Sequence, residues 1–306
     1  MTAEPNTDAH HLASAPVVVG VDGSEAADSA VDWAAELADR RGRELRIVHG
    51  ADLDGIRSAA ARYGIGNTPA LDAVRASATA LVQRSEQRAR RARPGLRIAA
   101  EVADSAPARL LVHHSITSYL VVLGASGTNS VATHVGSVLL AVAAHARGTV
   151  AVVRPDNRHQ VRTDGPVVVG VDGSPVSEDA IGKAFDEASE RGVPLVAVHV
   201  WSDLRLTRYA GLGDFFSPLG NVQDTEIALL AERLAGWQAA YPDVTIERHV
   251  YLADPARRLR DWSATAQLLV IGSRGRGGVL GGLLGSTSNS LVQHSRCPVM
   301  VVHPTE

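Results

Sequence analysis

One octapeptide, Val-Val-Val-Gly-Val-Asp-Gly-Ser, stands at Val17–Ser24 and again at Val167–Ser174, with starts 150 residues apart. The ends of the two halves align as well. Gly136-Ser137 matches Gly285-Ser286, and Val150–Pro155 matches Val299–Pro304, both at an offset of 149. The 306-residue chain is therefore two versions of one unit. Solenoid repeats run roughly 20–50 residues; these copies are long enough for each to bury a core of its own. The expected layout is a disordered polar leader over 1–15, domains over 16–155 and 166–306, and a polar linker over 156–165 with no apolar periodicity.

Within each copy, strand and helix patterns alternate. Val17–Val21 is an unbroken β-branched run, as in a strand buried on both faces. Ala26–Arg41 follows, with Ala30, Val31, Ala34 and Leu37 at helical spacing. Strands are expected at Leu45–His49, Leu96–Val102, Tyr119–Gly124 and Thr149–Val153. Helices are expected at Ala70–Ala92, Pro107–Ser115 and Val138–Ala146. The second copy repeats the order with strands at Val167–Val171, Leu195–Val200, Val244–Tyr251, Leu268–Ile271 and Val299–Val302. Such alternation predicts an α/β fold with a parallel sheet covered on both faces. Ligands in such sheets sit beyond the carboxyl ends of the strands, where strand order reverses.

Composition removes several alternatives. Thirty basic residues stand against 33 acidic ones, which argues against a general nucleic-acid binder. Cys297 is the only cysteine, so neither an intramolecular disulfide nor a two-cysteine metal site is possible. No stretch reaches the roughly 18 apolar residues of a membrane span, and the first residues lack the pattern of a secretory signal. The expectation is a cytoplasmic protein with no membrane and no nucleic-acid partner.

The informative segment is Gly272–Asn289, after the fourth strand of the second copy. Glycines recur through it, Arg274 and Arg276 add charge, and hydroxyl residues Ser286, Thr287 and Ser288 stand where a helix should begin. Consecutive exposed amides form an anion nest, and a helix start offers free N–H groups and a positive dipole end. The segment reads as a phosphate cradle; the plainer alternative is a tight glycine turn. The P-loop pattern is absent, since the one lysine, Lys183, lies in Ile-Gly-Lys-Ala. The dinucleotide fingerprint is absent too, because the first strand ends Gly-Val-Asp-Gly-Ser.

The spacing Gly272-x2-Gly275-x9-Gly285-Ser286, the duplicated first strand, and second strands ending in His49 and His199 resemble the universal stress protein family in its tandem two-domain form. The resemblance implies two Rossmann-like domains of the adenine nucleotide alpha hydrolase type. Each would hold a five-stranded parallel sheet of order 3-2-1-4-5, with ATP, with or without Mg²⁺, across the strand ends. By motif position, Gly170 and Asp172 would line the nucleoside and Val200 would meet the adenine. Gly272, Ser273, Arg274, Gly275, Arg276, Gly277 and Gly278 would wrap the phosphates, and Gly285, Ser286, Thr287 and Ser288 would complete the cradle. In the first copy, Gly20, Asp22, Gly124, Ser126, Gly127, Gly136 and Ser137 occupy the matching places. That copy lacks both arginines and the inner glycines, has Leu139 where the second has Ser288, and has Gly50 where the second has Val200. Weaker or absent nucleotide binding is expected there.

Other features have bland readings. Asp22 and Asp172 either contact a ribose or Mg²⁺ or shape the turn into the next helix. His49 and His199 read as structural. His113 and His114 are adjacent on a helix and face different sides, a poor metal site. Arg84–Arg93 reads as a solvated helix face. Trp201–Asn221 carries four aromatics and is open between a lid over the adenine, a partner surface and packing against its own domain. Cys297 reads as buried and inert. No catalytic or metal-ligand set stands out. The expectation is an ATP-binding regulator of stress response or dormancy. Its rivals are a slow ATPase or nucleotidyl-transferring enzyme and an interaction module with a vestigial pocket. Pairing of the two copies through their last strands, a homodimer of the whole chain and an unidentified regulatory protein partner are further implications of the family.

Overall fold

The computed structural model describes residues 14–62, 68–125, 136–155, 160–201, 219–275 and 284–304. The chain divides into two compact units between Val161 and Arg162.

In the first unit β1 (Val17–Gly20), α1 (Glu25–Arg40), β2 (Leu45–Gly50), α2 (Leu53–Arg62) and α3 (Thr68–Ala92) come in order. They are followed by β3 (Ile98–Ala103), α4 (Pro107–His114), β4 (Leu120–Gly124), α5 (Ser137–His145) and β5 (Val150–Val153). All pairings are parallel, in the order β3-β2-β1-β4-β5. The second unit holds β6 (Val167–Val171), α6 (Pro175–Arg191), β7 (Leu195–Trp201), α7 (Leu219–Ala240) and β8 (Ile246–Leu252). It continues with α8 (Pro255–Trp262), β9 (Leu268–Gly272), α9 (Ser286–His294) and β10 (Val299–Val302). Its parallel order is β8-β7-β6-β9-β10. Both units therefore have the 3-2-1-4-5 order, with the first strand at the centre and the order reversing between strands one and four.

The central strands read as continuous apolar runs because helices cover both faces. Val17, Val18 and Val19 are fully buried, as are Val167, Val168 and Val169. Complete burial of such a side chain stabilises the fold by about 1.5–3 kcal/mol. The serine that ends each octapeptide caps the following helix. Ser24 Oγ accepts from the Ala27 amide at 3.1 Å, and Ser174 Oγ from the Ser177 amide at 3.3 Å. Pro175 starts α6 where its missing N–H costs little, and Gly192 ends it at φ 63°. On the far side of α6, Phe185 is fully buried and stacks on Trp237 and Tyr241, with ring centroids 6.3 and 5.6 Å away. That aromatic group pins the end of α7 to α6.

Several expected boundaries differ. The third strand of each copy starts two residues late, at Ile98 and Ile246 rather than Leu96 and Val244. Both residues still belong to the turn after the preceding helix: the Leu96 amide donates to the Arg93 carbonyl and the Val244 amide to the Tyr241 carbonyl, each at 3.2 Å. Their burial, 6% and 4% exposed, comes from plugging that turn. Helix α2 was not expected. Ala15, assigned to the leader, is buried in the first unit, and its carbonyl accepts from Arg43 Nη1 at 2.8 Å.

Candidate functional site

In the second unit a cavity of about 490 Å³ opens at the carboxyl ends of the strands. Its floor comes from Gly170, Asp172, Val198 and Val200 at the ends of β6 and β7. Gly272, Arg274 and Gly275 after β9 form one wall, and Pro255 and Leu259 of α8 another. Gly285, Ser286, Thr287 and Ser288 at the start of α9 complete it.

Two glycines lie at close approaches. A Cβ on Gly170 would stand 2.9 Å from Leu259 Cδ1, so the Leu259 side chain of α8 packs directly on the strand end. A Cβ on Gly275 would run into Asp172 Oδ2, so the loop backbone lies directly on that carboxylate. Asp172 is itself held from the other side. Its Oδ1 accepts from the Ser174 amide at 2.9 Å and the Ser174 hydroxyl at 2.7 Å, and its own amide donates to Ser177 Oγ at 3.2 Å. The turn-shaping role of Asp172 and its position in the cavity wall thus coexist.

Helix α9 is fastened to the end of β9. The Gly285 amide donates to the Ser273 carbonyl at 2.9 Å, and Ser288 Oγ donates to the Gly272 carbonyl at 2.7 Å. Gly285 at the N-cap supplies no side chain, so the first-turn amides of α9 have no side-chain cap. Uncapped amides and the positive end of the helix dipole favour an anion there. Arg274 is the one cation and Asp172 the one carboxylate among the described lining residues. Arg274 makes no ion pair with any described residue.

A model of the Universal stress protein family matches residues 14–154 and 165–303. The chain belongs to the universal stress protein family. A universal stress protein of Mycobacterium tuberculosis is 42% identical over 296 residues, spanning 93% of this chain and 96% of its own. One from Mycolicibacterium smegmatis is 38% identical over 296 residues, spanning 94% and 97%. The crystal structure of a universal stress protein from Archaeoglobus fulgidus superposes with a TM-score of 0.67 at 18% identity, over 94% of this chain and 98% of that one, which shows the shared fold.

The two halves of this universal stress protein differ at the corresponding place. In the first unit, Gly20, Asp22, Gly124 and Gly136 line a cavity of only about 130 Å³. Gly50 lies against the start of α4: a Cβ there would fall 2.7 Å from Pro107 Cα and 2.8 Å from the Ser105 carbonyl oxygen. Where the second copy has Val200, the first therefore has backbone packed on backbone. Leu111 and Leu123 crowd Gly20, and Leu139 adds an apolar wall where Ser288 stands in the other copy.

Among the expected site residues, Ser273 and Ser137 do not line the cavities. Ser273 is buried behind the wall, its amide donating to the Val302 carbonyl at 2.7 Å, so it positions the loop. Ser137 begins α5 with an exposed position. Arg276, Gly277, Gly278, Ser126 and Gly127 lie outside the described residues, as does most of the Trp201–Asn221 segment. Sequence reasoning missed Pro255 and Leu259; the repeat of Pro-Ala-Arg-x-Leu at Pro107 and Pro255 was the available signal. The histidines that end the second strands lock neighbouring strands, His49 Nδ1 to the Val21 carbonyl and His199 Nδ1 to the Val171 carbonyl, each at 2.7 Å. Most arginines of Arg84–Arg93 are exposed, and three pair with carboxylates: Arg88 with Asp28 and Asp32, Arg90 with Glu86, Arg93 with Asp39. Cys297 is buried, and burial pushes its thiol up to about 12. Among the described residues no cluster of three potential metal ligands occurs, and no helix is long and apolar enough to cross a membrane.

Proposed function

We propose that the second-unit cavity binds an adenine nucleotide, ATP with or without Mg²⁺, and that occupancy sets the state of a stress-response or dormancy regulator rather than driving fast chemistry. The observation that carries this reading is the convergence of the uncapped α9 amides and Arg274 on a cavity of about 490 Å³. That volume suits a cofactor-sized ligand, since such pockets run to roughly 300–1,000 Å³. The first-unit cavity, at about 130 Å³, is below that range. Gly275 gives the phosphates close access to the loop backbone, and Val200 borders the side left for the base. With Asp172 already engaged by Ser174, a Mg²⁺ would arrive with the nucleotide rather than in a protein cage. The same reading places the protein in the cytoplasm, as a homodimer acting on an unidentified regulatory protein.

Mass spectrometry of small molecules released on denaturing the purified protein tests the ligand, and turnover with Mg-ATP tests its use. The reading predicts a released adenine nucleotide and turnover below about one per second, the low end of ordinary enzymes. Faster turnover would support an ATPase or nucleotidyl-transferring enzyme. Absence of any retained or added nucleotide would support an interaction module with a vestigial pocket.

A further inference from the structure

Side chains alternate across a strand. Val198 and Val200 face the cavity, so His199 faces the opposite side of the sheet. Its ring is buried there, at 5% exposure for the residue. Nδ1 lies 2.7 Å from the Val171 carbonyl oxygen, and Nε2 lies 3.0 Å from Glu226 Oε2 on α7. A carbonyl and a carboxylate are both acceptors. A histidine that donates from both nitrogens is an imidazolium. Val171 and Val200 both border the cavity, so this one ring holds the ends of β6 and β7 together from behind and ties α7 to them.

We propose that His199 is a positioning residue: its imidazolium, clasped between the Val171 carbonyl and the Glu226 carboxylate, docks α7 behind the second-unit cavity, and loss of its proton loosens α7 and weakens nucleotide binding. The nucleotide part rests on the function proposed above; the docking of α7 does not.

The first unit supplies the contrast. His49 makes the same 2.7 Å contact to a strand-end carbonyl. Aligning the ends of the long helices, Ala92 with Ala240, gives an offset of 148, whereas the first strands are offset by 150. Across that range Glu226 falls opposite Ala76, Ser77 or Ala78, none of them acidic. The carboxylate therefore accompanies the larger cavity only. Other charges near the ring are already held: Arg233 of α7 by Glu178 of α6, and Asp172, which follows Val171, by Ser174. Among the described residues, Glu226 is the charge that faces the ring. When Nε2 releases its proton to solvent, a nitrogen lone pair is left against a carboxylate, and the attraction becomes a repulsion.

Glu226→Gln separates the charge from the contact, because a glutamine amide donates to a neutral Nε2 and needs no proton on the ring. The full chain and this variant are compared at pH 5.5 and 8.5, on either side of the ordinary histidine range. The readouts are hydrogen exchange of α7 peptides, corrected for intrinsic rates, and ATP affinity by calorimetry; the titration of ATP itself cancels between the two proteins. In the wild type, α7 protection should fall at the higher pH, and ATP affinity should drop by about three- to tenfold relative to Glu226→Gln, a fraction of the roughly tenfold to hundredfold that one charge-assisted hydrogen bond is worth, because the contact acts on the cavity from behind. Protection of α7 that is independent of pH in the wild type, or that changes equally in both proteins, overturns the proposal. If α7 responds as stated but neither protein binds ATP, the docking role stands and the nucleotide reading falls. Nitrogen-15 histidine spectra of the wild type need no variant: both ring nitrogens of His199 should be protonated at pH 5.5, and a neutral, single-tautomer ring there would also overturn the proposal.

Discussion

Replacing Gly275 by alanine is the smallest change that attacks the contact on which the cavity wall depends. The added methyl would collide with Asp172 Oδ2. Asp172 cannot turn away freely, because Oδ1 holds the Ser174 amide and hydroxyl at 2.9 and 2.7 Å. Hydrogen bonds to a charged acceptor contribute about 1.5–3 kcal/mol each. Partial loss of the pair, or lifting of the loop to avoid it, should cost about 2 kcal/mol. A domain of about this size shifts by roughly 2–4 °C per kcal/mol, so the melting transition of the second unit should fall by about 4–8 °C. Because the displaced backbone is the lip of the cavity, ATP affinity should fall by about tenfold or more, equivalent to about 1.4 kcal/mol. Calorimetric melting and titration measure the two effects. Gly136→Ala is the control, since an added Cβ there meets nothing within 4 Å. If Gly275→Ala melts and binds like the wild type, the loop does not rest on Asp172 and the reasoning about the wall is wrong.

Two further outcomes follow from packing. Phe185→Ala removes a fully buried ring from the stack with Trp237 and Tyr241 and should destabilise the second unit by about 3–5 kcal/mol, read as an early transition in thermal or urea unfolding. Cys297 should resist alkylation in the native state and react only on unfolding. Its folded thiol is pushed up to about 12 from an ordinary 9.0, so the unfolded chain releases its proton first. The stability tied to the neutral thiol is intact below pH 9 and should be lost as pH rises toward 12, a loss that Cys297→Ala should remove.

The parallel, doubly covered sheets and the place of the cavity at their strand ends were legible in the sequence because they rest on local patterns; the strand order was an implication of the family resemblance. Val17–Gly20 and Val167–Val171 are buried on both faces and so carry no polar interruptions. The glycine spacing from Gly272 to Gly285 marked the loop because any side chain at Gly275 would meet the Asp172 carboxylate. What was not legible depends on distances between remote segments. Helix α2 has Gly55 in its interior and follows Asp52 at φ 49°, so its sequence carries turn signals as strong as its helical ones. Leu96 and Val244 looked like strand residues because burial, not strand geometry, selects their apolar side chains. The crowding of Gly50 by Pro107 joins residues 57 positions apart, and the His199–Glu226 bridge joins residues 27 apart. No local pattern announces either one. The first copy therefore differs from the second by more than its missing arginines: backbone at Gly50 and the side chains of Leu111, Leu123 and Leu139 crowd its cavity.

The central claim is that one of two similar units is built to hold a nucleotide. Titrating the purified, nucleotide-stripped full chain with ATP by calorimetry, with native mass spectrometry counting the bound molecules, tests it most directly. The account predicts one ATP per chain, abolished by Gly275→Ala or strongly weakened by it, and unchanged by Gly136→Ala. Two ATP per chain, or none at millimolar concentration, would contradict it.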